Sequence, residues 1–496
     1  VLDEARLKQL SNSYKLTPAT LAHKLNPRWI AAPHLLYISQ KIATAIRKGN
    51  ARICISVPPR HGKSELITKY TTAWCLEMFP NWNTILATYG AELSADFGKD
   101  VRDIIDNNQD KLNVRLSADR ARAANWKTTE GGGMAAVGIG GPITGRGANV
   151  LLIDDYIKEI KEAMSKKHNE DIWRWFRTVA YTRIEPGGSC IIIATRWAPD
   201  DLIGRIVAEN PGGHWEYIRL PAIAEAPCKE NGYYEDPLGR VPGEALFPER
   251  YNEQTLKDIK ETTGSFFFNS LYQQNPKSDV GDLTDPAWLK ITEQMPDMTR
   301  IKKARIWDLA ATEDGGDYTV GNLMGHIKLS NSTYIFNIVR DRLSPSGVET
   351  LVRTTAIADG TETEIYIEQE PGSSGKALVE HYQKNVLPEF KVVAVPSTDG
   401  KLTRAQPFLA AAEAGNIYLI KGHWNQLFID EFKDFPGGGH DDQIDTASVG
   451  YTKLAGRKTL TASIGRGLPA TVQDGRQKVT VTGKAGVIFG RSPLNA

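Results

Sequence analysis

Between Ala51 and Tyr70 the chain reads ARICISVPPRHGKSELITKY: a β-rich run, a tight loop ending in Gly62, Lys63 and Ser64, then a helix-like stretch. A strand that turns through such a loop into a helix N-terminus points backbone N–H groups at one spot, which suits a phosphate. In a P-loop the lysine reaches the β/γ oxygens and the following hydroxyl ligates Mg2+. Those roles fall to Lys63 and Ser64, with Arg60, His61 and Gly62 completing the cradle. The pattern wants Gly at position 57, where this chain has Val57 before Pro58 and Pro59. Alone, the segment also fits a basic surface turn after a buried strand.

The first 225 residues supply a sheet for that loop. Short runs such as NTILATY (83–89), NVLLID (149–154) and SCIIIAT (189–195) alternate with helix-like stretches, the mark of a parallel sheet flanked by helices. VLLIDD ends in two carboxylates. Asp154 is the expected Mg2+ ligand and Asp155 the base that polarises the attacking water, with Glu159 as a fallback; the competing reading is a turn that caps the next helix. GIGGPITGRGANV presents Arg146, suited to neutralise charge on a transferring phosphoryl group within its own subunit or a neighbour's. CIIIATRW ends in Thr195 and Arg196, at the sheet edge where ligand state is sensed.

From about 226 to 300 Pro and Gly are scattered among aromatics, and an amphipathic piece follows, which reads as a connecting subdomain. A second β-rich block fills 301–455. Asp308 interrupts the apolar run ARIWDLA, Glu368 interrupts IYIEQE, and Asp441 with Asp442 opens a helix-like run after GGGH. Buried acids are costly without a metal or a basic partner. Three such stations can build a two-metal site for phosphodiester hydrolysis. Asp317, Glu370, Asp445 and His440 are further candidates, each also readable as an ordinary structural residue.

Charge argues less than it first suggests. Lys plus Arg number 60 against 59 Asp plus Glu, a formal +1. From Ala455 onward, however, seven basic residues face one acid, so the tail carries +6 and the remainder −5. No stretch approaches the ~18 apolar residues of a membrane span, and the N-terminus lacks a signal-peptide layout. The four cysteines, Cys54, Cys75, Cys190 and Cys228, form no C-x-x-C pair and read as buried small hydrophobes.

Taken in order, VPPRHGKSE, GRGANVLLIDD, IIIATRW, FPERY, SLYQQNP, the strand acids and GGHDDQIDTAS resemble the large terminase subunit of tailed double-stranded-DNA bacteriophages over about residues 30–455. The resemblance implies an N-terminal P-loop ATPase domain of the ASCE type (1–225), a linker subdomain (226–300), an RNase H-like α/β nuclease domain (301–455) and a basic tail (456–496). It implies that Lys63 and Ser64 bind phosphates and Mg2+ with Arg60 beside them. Asp154 and Asp155 would be the acid pair, Arg146 the arginine finger, and Thr195 with Arg196 the coupling motif. Asp308, Glu368 and Asp442, with Asp441 beside it, would hold Mg2+ or Mn2+ for DNA cleavage. An adenine contact is expected within APHLLYISQ (32–40).

The implied activity is ATP-driven movement of double-stranded DNA into a procapsid through its portal, with endonucleolytic cutting. The implied partners are the portal, a small terminase subunit and copies of the chain in a pentameric ring. The implied place is the host cytoplasm, transiently on the procapsid and not in the mature virion. Two other classes fit parts of the pattern: a helicase- or repair-type P-loop ATPase fused to a nuclease, and a capsid-associated structural protein with vestigial motifs.

Overall fold

The computed structural model describes residues 13–143, 145–227, 235–277, 283–310, 317–370, 372–397, 400–436 and 439–456. Cys228 and the basic tail from Arg457 onward lie outside the described residues.

Two mixed α/β layers build the chain. The first sheet contains β1 (Arg52–Ser56), β2 (Asn83–Thr88), β3 (Leu116–Arg122), β4 (Asn125–Thr128), β5 (Gly133–Gly138), β6 (Ala148–Asp154), β7 (Ile184–Ala194) and β8 (Glu216–Arg219). Their order is β3-β4-β5-β2-β6-β7-β1-β8. From β5 to β8 every neighbour is parallel, while β3 and β4 extend one edge antiparallel. The near-continuous apolar runs of β1, β6 and β7 follow from burial on both faces. Ile53, Ile55, Val150, Leu152, Ile191 and Ile193 alternate onto one face and join a core with Leu35, Ile38 and Ile42 of the helix Pro33–Lys48 and with Trp74 of Thr71–Met78. Cys54, Cys75 and Cys190 are buried free thiols.

Register positions the chemistry. β7 lies between β1 and β6, and Ile193 pairs with Ile55 on one side and Asp154 on the other. Because the three strands are parallel, the loops that leave them open at one edge. This insertion of a strand between the P-loop strand and the acid-bearing strand is the ASCE arrangement.

The second sheet contains β9 (Lys290–Thr292), β10 (Lys302–Asp308), β11 (Thr319–Ile327), β12 (Ser332–Asp341), β13 (Glu364–Gln369), β14 (Val392–Pro396) and β15 (Ile417–Ile420), in the order β14-β13-β10-β11-β12-β15-β9. β10, β11 and β12 form an antiparallel meander, and β13 and β14 add parallel beside β10, which gives the RNase H-like core. The helix Asp442–Ala455 packs across it so closely that Ala447, Ser448 and Gly450 are buried. Small residues there admit the helix to Met324 and Ile306.

Between the sheets runs the helix Glu253–Leu271, broken at Gly264, whose φ of 78° suits glycine. Leu256 before the break and Phe268 beyond it share a small core with Ala222 and Ala245, and at the break the helix meets Lys401–Glu413. Among the described residues no helix is long and apolar enough to cross a membrane.

Candidate functional sites

The P-loop begins one residue later than its sequence pattern asks. Val57 is fully buried and continues β1, its N–H donating to Ala194 O at 3.4 Å. A glycine is needed further on. Gly62 has φ of 81°, and a Cβ there would stand 3.0 Å from Leu35 Cδ1.

Lys63 is the hub. Its Nζ donates to Asp155 Oδ1 at 2.6 Å and to Thr195 Oγ1 at 2.5 Å, which joins three segments that are far apart in the chain. Thr195 N donates to the same Asp155 oxygen at 3.1 Å. Asp155 holds a left-handed backbone (φ 45°), a strained state for a residue other than glycine and one that clusters at functional sites. Asp154 faces the helix that follows the P-loop, and its Oδ2 accepts from Thr68 Oγ1 at 2.6 Å. Burial, then the charge of Asp155, pushes its carboxyl up, while Lys63, Thr68 and Ser64 pull the other way.

Three sequence-named residues sit differently from their expected use. The His61 side chain turns inward, hydrogen-bonded to Pro59 O at 2.8 Å and stacked on Tyr251. Burial pushes it down to about 4, so it is neutral and offers a phosphate no charge. Arg196 is buried, and its Nε donates to both oxygens of Asp201 at 2.9 Å while Nη2 reaches Ala198 O. Its guanidinium holds the chain after β7 through Asp201 and Ala198. Arg146 is exposed and precedes β6, whose first residue Ala148 pairs with Ile184 at the start of β7. Six residue steps of strand separate that end from Asp154, about 20 Å at ~3.3 Å per residue. Arg60 is exposed with φ of 64°, and its carbonyl accepts from Arg250 at 3.3 Å. Glu159 caps no helix with its side chain. His34, within the segment proposed to contact adenine, bonds His61 O at 2.8 Å and supports the loop from beneath.

The FPERY segment thus has a physical role that pattern reading missed. Phe247 packs on His34 and His61, Tyr251 stacks on His61, and Arg250 holds Arg60 O, so the connecting segment braces the P-loop from behind.

The second centre lies at the C-terminal ends of β10 and β13. Burial, then the charges of Glu368, Asp442 and Asp445, pushes Asp308 up to about 8. Burial also raises Asp442, and raises Asp445 to about 6 against Arg404 and Lys401. Asp442 and Asp445, one helical turn apart, thus lie close enough to Asp308 for their charges to act on it, while Asp441 is turned to Lys401 at 2.6 Å. Arg404 donates to Glu368. Asp317, His440 and Asp442 bring ligand atoms within 4.8 Å of one another. Glu370 is exposed.

Sequence reasoning also missed what holds these acids. Glu431 accepts from Gln443 N at 2.6 Å and from Gln443 Nε2 at 2.6 Å, and so places a carboxylate at the N-terminus of the helix that carries Asp442 and Asp445. Their counter-charges come from Lys401 and Arg404, at i and i+3 on the helix Lys401–Glu413.

Both centres fit divalent cations. Asp154 Oδ1 and Asp445 Oδ1 are buried without a hydrogen-bond partner, and each stands among further oxygen donors.

Family comparison agrees with the two sheets. The model for the N-terminal part of the T4likevirus-type terminase large subunit matches residues 54–270, and the model for the terminase RNaseH-like domain matches residues 305–454. The chain belongs to the terminase large subunits. No curated protein sequence matches it significantly. Among solved structures, this terminase subunit is similar to the large terminase from a thermophilic bacteriophage in complex with ADP, at 10% identity and a TM-score of 0.46, covering 85% of this chain and 96% of that one. It is similar to the HK97 bacteriophage large terminase at 11% identity and a TM-score of 0.34, covering 86% and 95%. The large terminase nuclease of the thermophilic phage G20c with bound magnesium matches at 14% identity and a TM-score of 0.25, covering 34% of this chain and 94% of that one. Family membership implies a role in phage DNA packaging.

Proposed function

We propose that this chain hydrolyses ATP to drive double-stranded DNA through a portal into a procapsid, and that its second sheet cuts the DNA. The observation that supports this best is the presence of two separately built acid centres in one chain: Lys63 bonded to Asp155 and Thr195, and a buried Asp308 within the field of Glu368, Asp442 and Asp445.

In the motor, the nucleotide phosphates compete with Asp155 for Lys63. Once Lys63 is drawn away, Asp155 is free to take a proton from water. Asp154 and Ser64 would hold Mg2+, and Thr195, on both Lys63 and Asp155, registers whether the phosphate is present. Arg146 serves a neighbouring subunit, because the length of β6 separates it from its own P-loop. Arg196 contributes by fixing the chain after Thr195. At the second centre Asp308, Glu368 and Asp442 would hold Mg2+ or Mn2+, with Asp445 beside them. Bound cations supply activated water and neutralise developing negative charge.

The same reading includes a homo-oligomeric ring, a pentamer, docked on the portal, supplied by a small terminase subunit and acting in the host cytoplasm while attached to the procapsid. The motor would span residues 1–225, the connector 226–300, the nuclease 301–455, and the tail from 456 would engage DNA or procapsid. Paired variants test the division of labour. Lys63→Ala is expected to abolish DNA-stimulated ATP hydrolysis, and Asp308→Ala to abolish cutting while hydrolysis continues. Equal loss of hydrolysis in both would refute two independent sites.

A further inference from the structure

We propose that Arg404 is a counter-cation built into the carboxylate centre, which a divalent ion must displace, and that a lock between two helices keeps it there. The proposal rests on the reading of Asp308, Glu368 and Asp442 as metal ligands.

The helix Lys401–Glu413 brings two cations to the acids from one face. Arg404 Nη1 donates to Glu368 Oε1, and Nη2 lies 3.4 Å from Asp445 Oδ2. One guanidinium therefore bridges carboxylates from β13 and from the helix Asp442–Ala455, and so neutralises Glu368, which would hold a divalent ion, together with Asp445 beside it. Lys401 completes the neutralisation, 2.6 Å from Asp441 Oδ1 and 3.6 Å from Asp445 Oδ2. The Arg404 side chain is 14% exposed, and its Nε is buried with no hydrogen-bond partner. Its contacts are thus directed at Glu368 and Asp445, and a cation that takes up Glu368 would remove much of the reason for Arg404 to stay.

The same helix is fastened to the connector at Gln406 and Glu413. Glu413 Oε2 accepts Ser265 N at 2.7 Å, and Gln406 Nε2 lies 3.4 Å from Thr263 O. Both contacts fall at the Gly264 break, where a Cβ would approach Glu413 Oε2 at 3.3 Å. The lock fixes where along the acids Arg404 is delivered. A cation entering the centre works against it, so metal affinity in the intact chain is held below what the carboxylates alone would give.

The test is Mn2+ binding to the full chain, without DNA or nucleotide, followed by the paramagnetic resonance of free Mn2+ in alkaline buffer so that protons do not compete. Arg404→Ala is expected to bind Mn2+ about tenfold more tightly, because a positive charge a few ångströms from the ion is gone. Arg404→Lys is expected to return affinity towards the parent value. Glu413→Ala, which leaves every carboxylate of the centre in place, should tighten binding by a smaller factor than Arg404→Ala, because a loosened lock lowers the cost of moving Arg404. Equal or weaker binding by Arg404→Ala, with its thermal unfolding intact, overturns the counter-cation; unchanged binding by Glu413→Ala overturns the lock. Asp442→Asn separates this proposal from the reading beneath it. If Asp442→Asn loses Mn2+ while Arg404→Ala gains none, only the counter-cation falls; if Asp442→Asn binds as the parent does, the metal reading falls and takes the proposal with it.

Discussion

Asp155→Asn should make the motor bind ATP more tightly while it stops hydrolysing it. The Lys63 and Asp155 side chains are only 7% and 9% exposed, so their 2.6 Å contact is not discounted by solvent as a surface ion pair would be. Phosphate must break that contact to reach Lys63. A hydrogen bond between charged groups is worth about 2 kcal/mol net. Relief of that cost corresponds to about 30-fold in affinity, and loss of repulsion between the carboxylate and the phosphates acts in the same direction. Asparagine keeps an oxygen for Thr195 N, so the loop after β7 has no reason to move. Equilibrium titration with a non-hydrolysable ATP analogue and Mg2+ measures the change, and circular dichroism checks the fold. The nucleotide-free variant should also unfold at lower temperature, since Lys63 is left buried without its charge partner, and should recover on nucleotide addition. Binding equal to or weaker than the parent's, in a folded variant, would refute competition between Asp155 and phosphate for Lys63.

Three further outcomes follow from other parts of the molecule. Gly450→Ala should destabilise by about 1–2 kcal/mol in urea unfolding: the new methyl would meet Met324 Sδ and stand 2.8 Å from Ile306 Cδ1, and overpacking outweighs the helix propensity gained. A neutral or stabilised variant would show that the sheet yields there. Arg146→Ala should leave hydrolysis by dilute, unassembled protein unchanged and lower it by about a thousandfold in the assembled ring; equal loss at every protein concentration would contradict action across subunits. Asp308, held at about 8, is protonated in the metal-free chain at neutral pH and ionised above that value. Metal binding near pH 7 should therefore release about one proton per site by calorimetry in paired buffers, falling towards none by about pH 9; pH-independent release would count against the assignment.

The parallel sheet was legible because β1, β6 and β7 are apolar on both faces, and their runs stand out without any partner being known. The order of their motifs was equally plain. What a linear pattern cannot carry is which strand lies beside which, and that is where the placements of Arg146 and Arg196 come from. Arg146 stands only eight residues before Asp154, yet a strand runs the length between them and puts them at opposite edges. Arg196 follows Thr195 directly, but the chain turns and Asp201 captures the guanidinium.

At the second centre the acids were visible as polar interruptions of apolar strands. Which way Asp441 and Asp442 point depends on where the helix begins, and Glu431 fixes that start by accepting from Gln443, 12 residues away in sequence. Lys401 and Arg404 carried no signal of their own because surface cations on helices are common. The strand β9, read as connector, joins the second sheet through β15, a pairing no local pattern of three residues could announce.

In the proposed reading one chain couples ATP hydrolysis at Lys63 to DNA movement, separately from cutting at Asp308. The most direct measurement is protection of linear double-stranded DNA from added nuclease, with and without portal-bearing procapsids, ATP and the small terminase subunit. Protection should require ATP and procapsids together, persist in Asp308→Ala and vanish in Lys63→Ala. Protection without procapsids, or undiminished protection by Lys63→Ala, would contradict it.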